Sequence, residues 1–199
     1  MSKLTILEPK TLTEAMEFSE VLSKSGMVPD HYQGKPANIL VAIQWGYELG
    51  LAPMQALQNI SVINGKPSMW GDAMLALVKA HPAFRGCHVW LEGETAICEV
   101  KRELEGGEIE TTRSEFSIAE ANKAGLTSKR GTWQYYPNRM LKLRARGFAL
   151  RDAFPDAIKG LITTEEAKDY PPAEKQSSEK TVQAPVVSSE GDTMQNIVE

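Results

Sequence analysis

Val89-Trp90-Leu91-Glu92-Gly93-Glu94-Thr95-Ala96-Ile97-Cys98-Glu99-Val100 stands at the centre of the stretch that decides the fold. Before it, apolar residues recur at helical spacing. From Arg85 onward they collect instead in short runs broken by glycine and glutamate. Arg85 to Leu91, Thr95 to Arg102 and Glu108 to Ser114 read as three antiparallel strands, with turns at Glu92-Gly93-Glu94 and at Glu103 to Gly107. If Gly93-Glu94 is a two-residue turn, Cys87 and Cys98 share one face of that sheet.

Working outward, Thr11-Leu12-Thr13-Glu14 has capping-box spacing and opens a helix to Lys24, with Gly26 as its stop. Pro36 suits the first turn of a second helix ending at Gly50, and Pro53 opens a short helical turn through Leu57. Asn64-Gly65, between Gln58 to Ile63 and Lys66 to Met69, is a type I′ hairpin signal. Asp72 is read as the N-cap of a third helix reaching Ala80. After the strands, Ser117-Ile118-Ala119-Glu120 is another capping box, for a short helix stopped at Gly125. A loop spans Thr127 to Thr132, Pro137 opens the longest late helix, running to about Asp152, and a final turn covers Thr163 to Lys168. The expectation is an α+β fold: N-terminal helices, a β-hairpin and a short antiparallel three-stranded meander packed on a long C-terminal basic helix. The domain is expected over residues 1–170. Residues 171–199, rich in Ser, Glu, Gln, Val and Pro and free of aromatics, read as an acidic disordered tail.

The 199 residues carry a net charge of -4, which hides an uneven distribution. From Ile162 onward eight acids face Lys168, Lys175 and Lys180, whereas Asn122 to Leu161 holds nine cations against Asp152 and Asp156. No stretch approaches a membrane span and the N-terminus lacks a signal-peptide core, so a cytoplasmic protein without membrane association is expected. Two cysteines are too few for a disulfide framework.

The basic segment is unusual in its phase. At about 100° per residue, Met140, Leu143, Gly147, Leu150 and Phe154 form one apolar ridge, and Leu141, Ala145 and Phe148 a second. Arg139, Lys142 and Arg146 run along one seam between them; Arg144 and Arg151 run along the other. Such a helix is buried yet shows its charges at a groove, which suits tracking a phosphate backbone. The competing reading pairs these cations with the acidic meander, from Glu92 to Glu110, and makes Arg151, beside Asp152, the first to be structural. Upstream, Lys129 and Arg130 precede Trp133, Tyr135 and Tyr136, a mixture that can bind phosphate and stack bases; Trp133 is more simply a core residue.

Other chemistries find little support. A phosphate-binding loop ending in Gly65-Lys66 needs glycine where Ile60 stands and serine or threonine where Pro67 stands. His81, Cys87, His88 and Cys98 match no zinc spacing, and no nucleophile triad or compact carboxylate cluster is evident, which argues against an enzyme, nuclease included, and against a cofactor. Met27, Trp45, Met54, Met69, Trp70 and Trp90 read as core or subunit-contact residues.

Between Phe18 and Asp169 stand the strings Ser25 to Pro29, Tyr32 to Asn38, Gly46 to Leu57, Ile63 to Ala73, Tyr136 to Met140 and Arg144 to Asp156. On these strings the chain resembles the RecT branch of the RecT/Redβ single-strand annealing proteins of phages. The resemblance implies an ATP-independent protein, not an enzyme, that binds single-stranded DNA and annealed duplex, assembles with itself into rings or helical filaments, and pairs complementary strands in homologous recombination. It further implies phage or prophage origin in a bacterial host, a partner exonuclease, and an intersubunit role for the hairpin from Gln58 to Trp70; a host single-strand-binding protein is a candidate partner of the tail. On the matched strings, DNA contact is expected of Arg139, Lys142, Arg144, Arg146 and Arg151, and of Lys66 in the hairpin. Lys129, Arg130 and Tyr135 are expected DNA contacts on the charge and aromatic argument alone. The alternative is a protective single-strand binder that does not anneal.

Overall fold

The computed structural model describes residues 9–128 and 130–170; Lys129 and the expected acidic tail lie outside the described residues. Local signals set the first elements. The Thr11 hydroxyl accepts the Glu14 N–H at 3.2 Å to start α1 (Leu12–Ser23), and the Glu14 carboxylate reaches back to the Lys10 N–H. Gly26 is not the stop, since the helix is already closed by Lys24 in a right-handed conformation. A 3-10 turn (Asp30–Tyr32) leads into α2 (Pro36–Glu48). Gly50, at φ +75°, lets the Leu51 N–H turn back to the Gly46 carbonyl at 2.7 Å and closes that helix. Then α3 (Pro53–Asn59) packs so tightly on α2 that a Cβ at Gly46 would overlap that of Ala56.

The hairpin forms as expected, with β1 (Ile60–Ile63) and β2 (Lys66–Met69) paired across Asn64 and Gly65, both at positive φ. A strand absent from the sequence reading, β6 (Ile162–Thr163), adds to β2 in parallel and ties the hairpin to the far end of the domain. Between them lies α4 (Gly71–Lys79). The meander is β3 (Phe84–Glu92), β4 (Thr95–Glu103) and β5 (Ile109–Ser117), in that spatial order, so β3 and β5 are edges. β5 runs three residues past Ser114, and Ser117 both ends it and caps α5 (Ile118–Lys123) through the expected reciprocal bonds with Glu120.

After α5 a short helix, α6 (Thr132–Tyr135), precedes the long α7 (Pro137–Ala153); α8 (Pro155–Ile158) and α9 (Thr164–Ala167) complete the described domain. The fold is therefore α+β. α7 lies across β4 and β5, and Ala96, Cys98, Val100 and Phe116 on the sheet meet Met140, Leu141, Ala145 and Leu150 of the helix in one core. Fully burying large side chains such as Leu141, Leu150 and Phe154 contributes roughly 1.5–3 kcal/mol each. A smaller core under α1, α2 and α3 holds Val28, Tyr32, Ile39 and Leu57. Met69 is core, whereas Met27 is exposed and Trp70 partly so. Among the described residues no helix is long and apolar enough to cross a membrane.

Candidate nucleic-acid interface

α7 carries two kinds of cation because its two seams face different things. Along the first seam Arg139, Lys142 and Arg146 line a cleft of about 480 Å³ together with Asn138, Leu143 and Asp72, and with Val89 and Leu91 from the edge strand β3. The strand alternation that buries Ala96 and Cys98 also turns Val89 and Leu91 toward α7. The result is an apolar floor under a cationic rim. Among the described residues Arg139 and Lys142 make no ion pair, and Arg139 is exposed.

Arg146 is different: its Nη2 donates to the Asp72 carboxylate at 2.7 Å. Asp72 is not the cap of α4. Trp70 is the N-cap, Asp72 sits one residue inside the helix with its side chain 75% exposed, and the Gly71 N–H is capped by the Glu165 carboxylate at 3.1 Å. A side chain at position 71 would press on both Arg146 and Glu165, so glycine keeps that crossing open. Asp72 thus holds an exposed carboxylate against the Arg146 guanidinium at the cleft.

The second seam is turned inward. Arg144 is 8% exposed, ion-paired with Asp169, and lies 5.5 and 5.7 Å from the Phe116 and Phe148 rings. Asp169 also accepts the Trp133 indole N–H, which makes Trp133 a core residue and anchors α6 to the C-terminal turn. Arg151 pairs at 3.2 Å with Glu166, which is almost fully buried and accepts a further bond from the Tyr170 hydroxyl. These arginines are structural cations that bind α9 and the following residues to α7. None of the α7 arginines pairs with the meander; the meander instead pairs Arg85 with Glu103 and Arg113 with Glu115. Nor is Asp152 the partner of Arg151. The acids that matter are Asp169, Glu165 and Glu166, in and just after the final turn expected before the tail, and no local signal pointed to them as partners of α7.

The remaining expected residues are dispersed. Lys66 is exposed beside the hairpin turn and does not line the cleft. Arg130 and Tyr135 are exposed together at α6, the guanidinium 3.5 Å from the phenol oxygen, with Tyr136 exposed next to them. Lys129 lies outside the described residues. Asn138, Val89, Leu91 and Leu143 join the site only through tertiary packing, although strand alternation already paired Val89 and Leu91 on one face. Compared with protein-family models and with curated proteins, the sequence matches none.

Proposed function

We propose that the protein binds single-stranded DNA along the cleft between α7 and β3 and anneals complementary strands without ATP, in the manner of the RecT proteins it resembles in sequence. The observation that carries this reading is that Arg139 and Lys142, which make no ion pair among the described residues, stand with Arg146 over an apolar floor of Val89, Leu91 and Leu143. Cations on a rim neutralise successive phosphates, and an apolar floor accommodates sugar or base faces without reading base edges. Annealing needs that division of labour. The protein supplies alignment and charge neutralisation, and base pairing supplies specificity. Arg130 and Tyr135 extend the cationic and aromatic surface toward the start of α7. The same reading takes the protein as a self-assembling phage or prophage recombination factor working in the bacterial cytoplasm with an exonuclease.

The test is a quenched-fluorophore assay with complementary oligonucleotides, run without nucleotide. Acceleration of pairing that falls steeply with salt is expected. Binding that retards pairing identifies a protective single-strand binder instead, and absence of binding at low salt overturns the proposal.

A further inference from the structure

The two cysteines of this chain meet on the helix-facing side of the meander. Cys87 pairs with Val100 and Cys98 with Val89, so the thiols are diagonal neighbours across β3 and β4, and their Sγ atoms stand 3.9 Å apart. Cys98 is fully buried, while Cys87 is partly exposed, two residues along β3 from the cleft wall at Val89. No other thiol exists to compete for either of them within the chain. We propose that Cys87 and Cys98 are a peroxide-oxidisable thiol pair, with Cys87 the nucleophile and Cys98 the resolving thiol, that closes into an intrachain disulfide beside the cleft.

The environment assigns these roles. In this assignment Cys98, the more deeply buried thiol, keeps its proton and donates to Cys87; that hydrogen bond, aided by the positive Arg146 and Lys79, outweighs burial and lowers the Cys87 thiol below its ordinary value. Burial and its neighbour push Cys98 upward. In the reaction the Cys87 thiolate attacks one oxygen of hydrogen peroxide, the O–O bond breaks, and hydroxide leaves to be protonated to water. The Cys98 sulfur then attacks the sulfenic sulfur, loses its proton, and expels the second oxygen as water. Two thiols lose two electrons and two protons, and peroxide becomes two waters. Closure brings the sulfurs from 3.9 Å to about 2.0 Å. β3 can supply that movement, because it is an edge strand bonded only to β4 and has a register shift between Phe84 and Gly86, next to Cys87. The same movement shifts Val89 and Leu91. The inference stands on the thiol geometry and does not depend on the DNA-annealing reading.

The experiment oxidises the reduced full-length chain with hydrogen peroxide, blocks free thiols, and cleaves after glutamate. Cleavage at Glu92 and Glu94 separates the two cysteines, so their peptides stay together only through a disulfide. The expected result is a linked peptide pair that dithiothreitol separates, formed in monomeric chains. In Cys98→Ala the reaction should stop at a Cys87 sulfenic acid trapped by dimedone, and the iodoacetamide rate profile of Cys87 should move upward toward the ordinary thiol range of about 8.5, because the donor at position 98 is gone. The wild-type peptide mapping needs no variant to fold. Unlinked Cys87 oxidised to sulfinic acid in the wild type, or linkage found only between chains, overturns the proposal.

Discussion

Replacing Arg144 with methionine and, separately, Arg139 with methionine should separate stability from binding on a single helix. Arg144 is 8% exposed, its partner Asp169 is 13% exposed, and two aromatic rings flank the guanidinium. Removing one member of such a pair leaves a nearly buried carboxylate, for which the cost is about 3–5 kcal/mol. Asp169 keeps the Trp133 N–H at 3.0 Å and a narrow path to water, so the lower end, about 3 kcal/mol, is expected. With a urea dependence of about 2 kcal/mol/M, the unfolding midpoint followed by tryptophan fluorescence should fall by roughly 1.5 M. Arg139 has no such partner among the described residues and is exposed, and its replacement should change stability by less than about 0.5 kcal/mol. It should instead weaken single-strand binding and lower the salt slope by about one. The reasoning is refuted if R144M keeps the wild-type midpoint while binding is lost, or if R139M unfolds as early as R144M.

Three further outcomes follow from other contacts. Asp72→Asn frees Arg146 from an exposed carboxylate in the cleft, so single-strand affinity at low salt should rise several-fold and its salt dependence should steepen; equal or weaker binding in filter or anisotropy titrations would discount Asp72 as a competitor of phosphate. Gly46→Ala should destabilise despite the better helix propensity of alanine, because the new methyl overlaps Ala56, whereas Gly26→Ala, with open space around it, should be close to neutral; thermal melts compare them. Arg102 donates to Asp156 at 2.6 and 2.7 Å and holds that carboxyl down at about 2. A carboxyl lowered by folding stabilises fully above its unfolded value near 4, and that contribution disappears as pH falls toward 2. Asp156→Asn should flatten the pH dependence of the melting temperature in that window, and an unchanged acid limb would exclude the pair as its source.

Much of the fold was legible because its signals are local. Thr11 and Ser117 cap helices through residues three positions away, Asn64-Gly65 needs only its own dihedrals to reverse the chain, and the two-residue turn at Gly93-Glu94 places Cys87 and Cys98 on one face without help from elsewhere. The failures have the opposite character. Asp72 has the composition of a cap, but the Gly71 N–H is taken by Glu165, 94 positions further along the chain from Gly71. β6 is two residues long and exists only because β2 offers an edge to pair with.

For the candidate site, the amino-acid sequence by itself determined the phase of the basic helix, hence that its cations would fall on two seams. Rise and rotation per residue are properties of the backbone, independent of what packs around it. Only the tertiary structure decided which seam is free. Arg144 and Arg151 are neutralised because the chain returns after α8 and sets Asp169 and Glu166 against them, while Arg139 and Lys142 face the Val89 and Leu91 side chains of the edge strand β3 and the one carboxylate lining that cleft, Asp72, is taken by Arg146. A charge keeps or loses its partner according to which segment arrives within about 4 Å, and no periodicity in the sequence encodes that arrival.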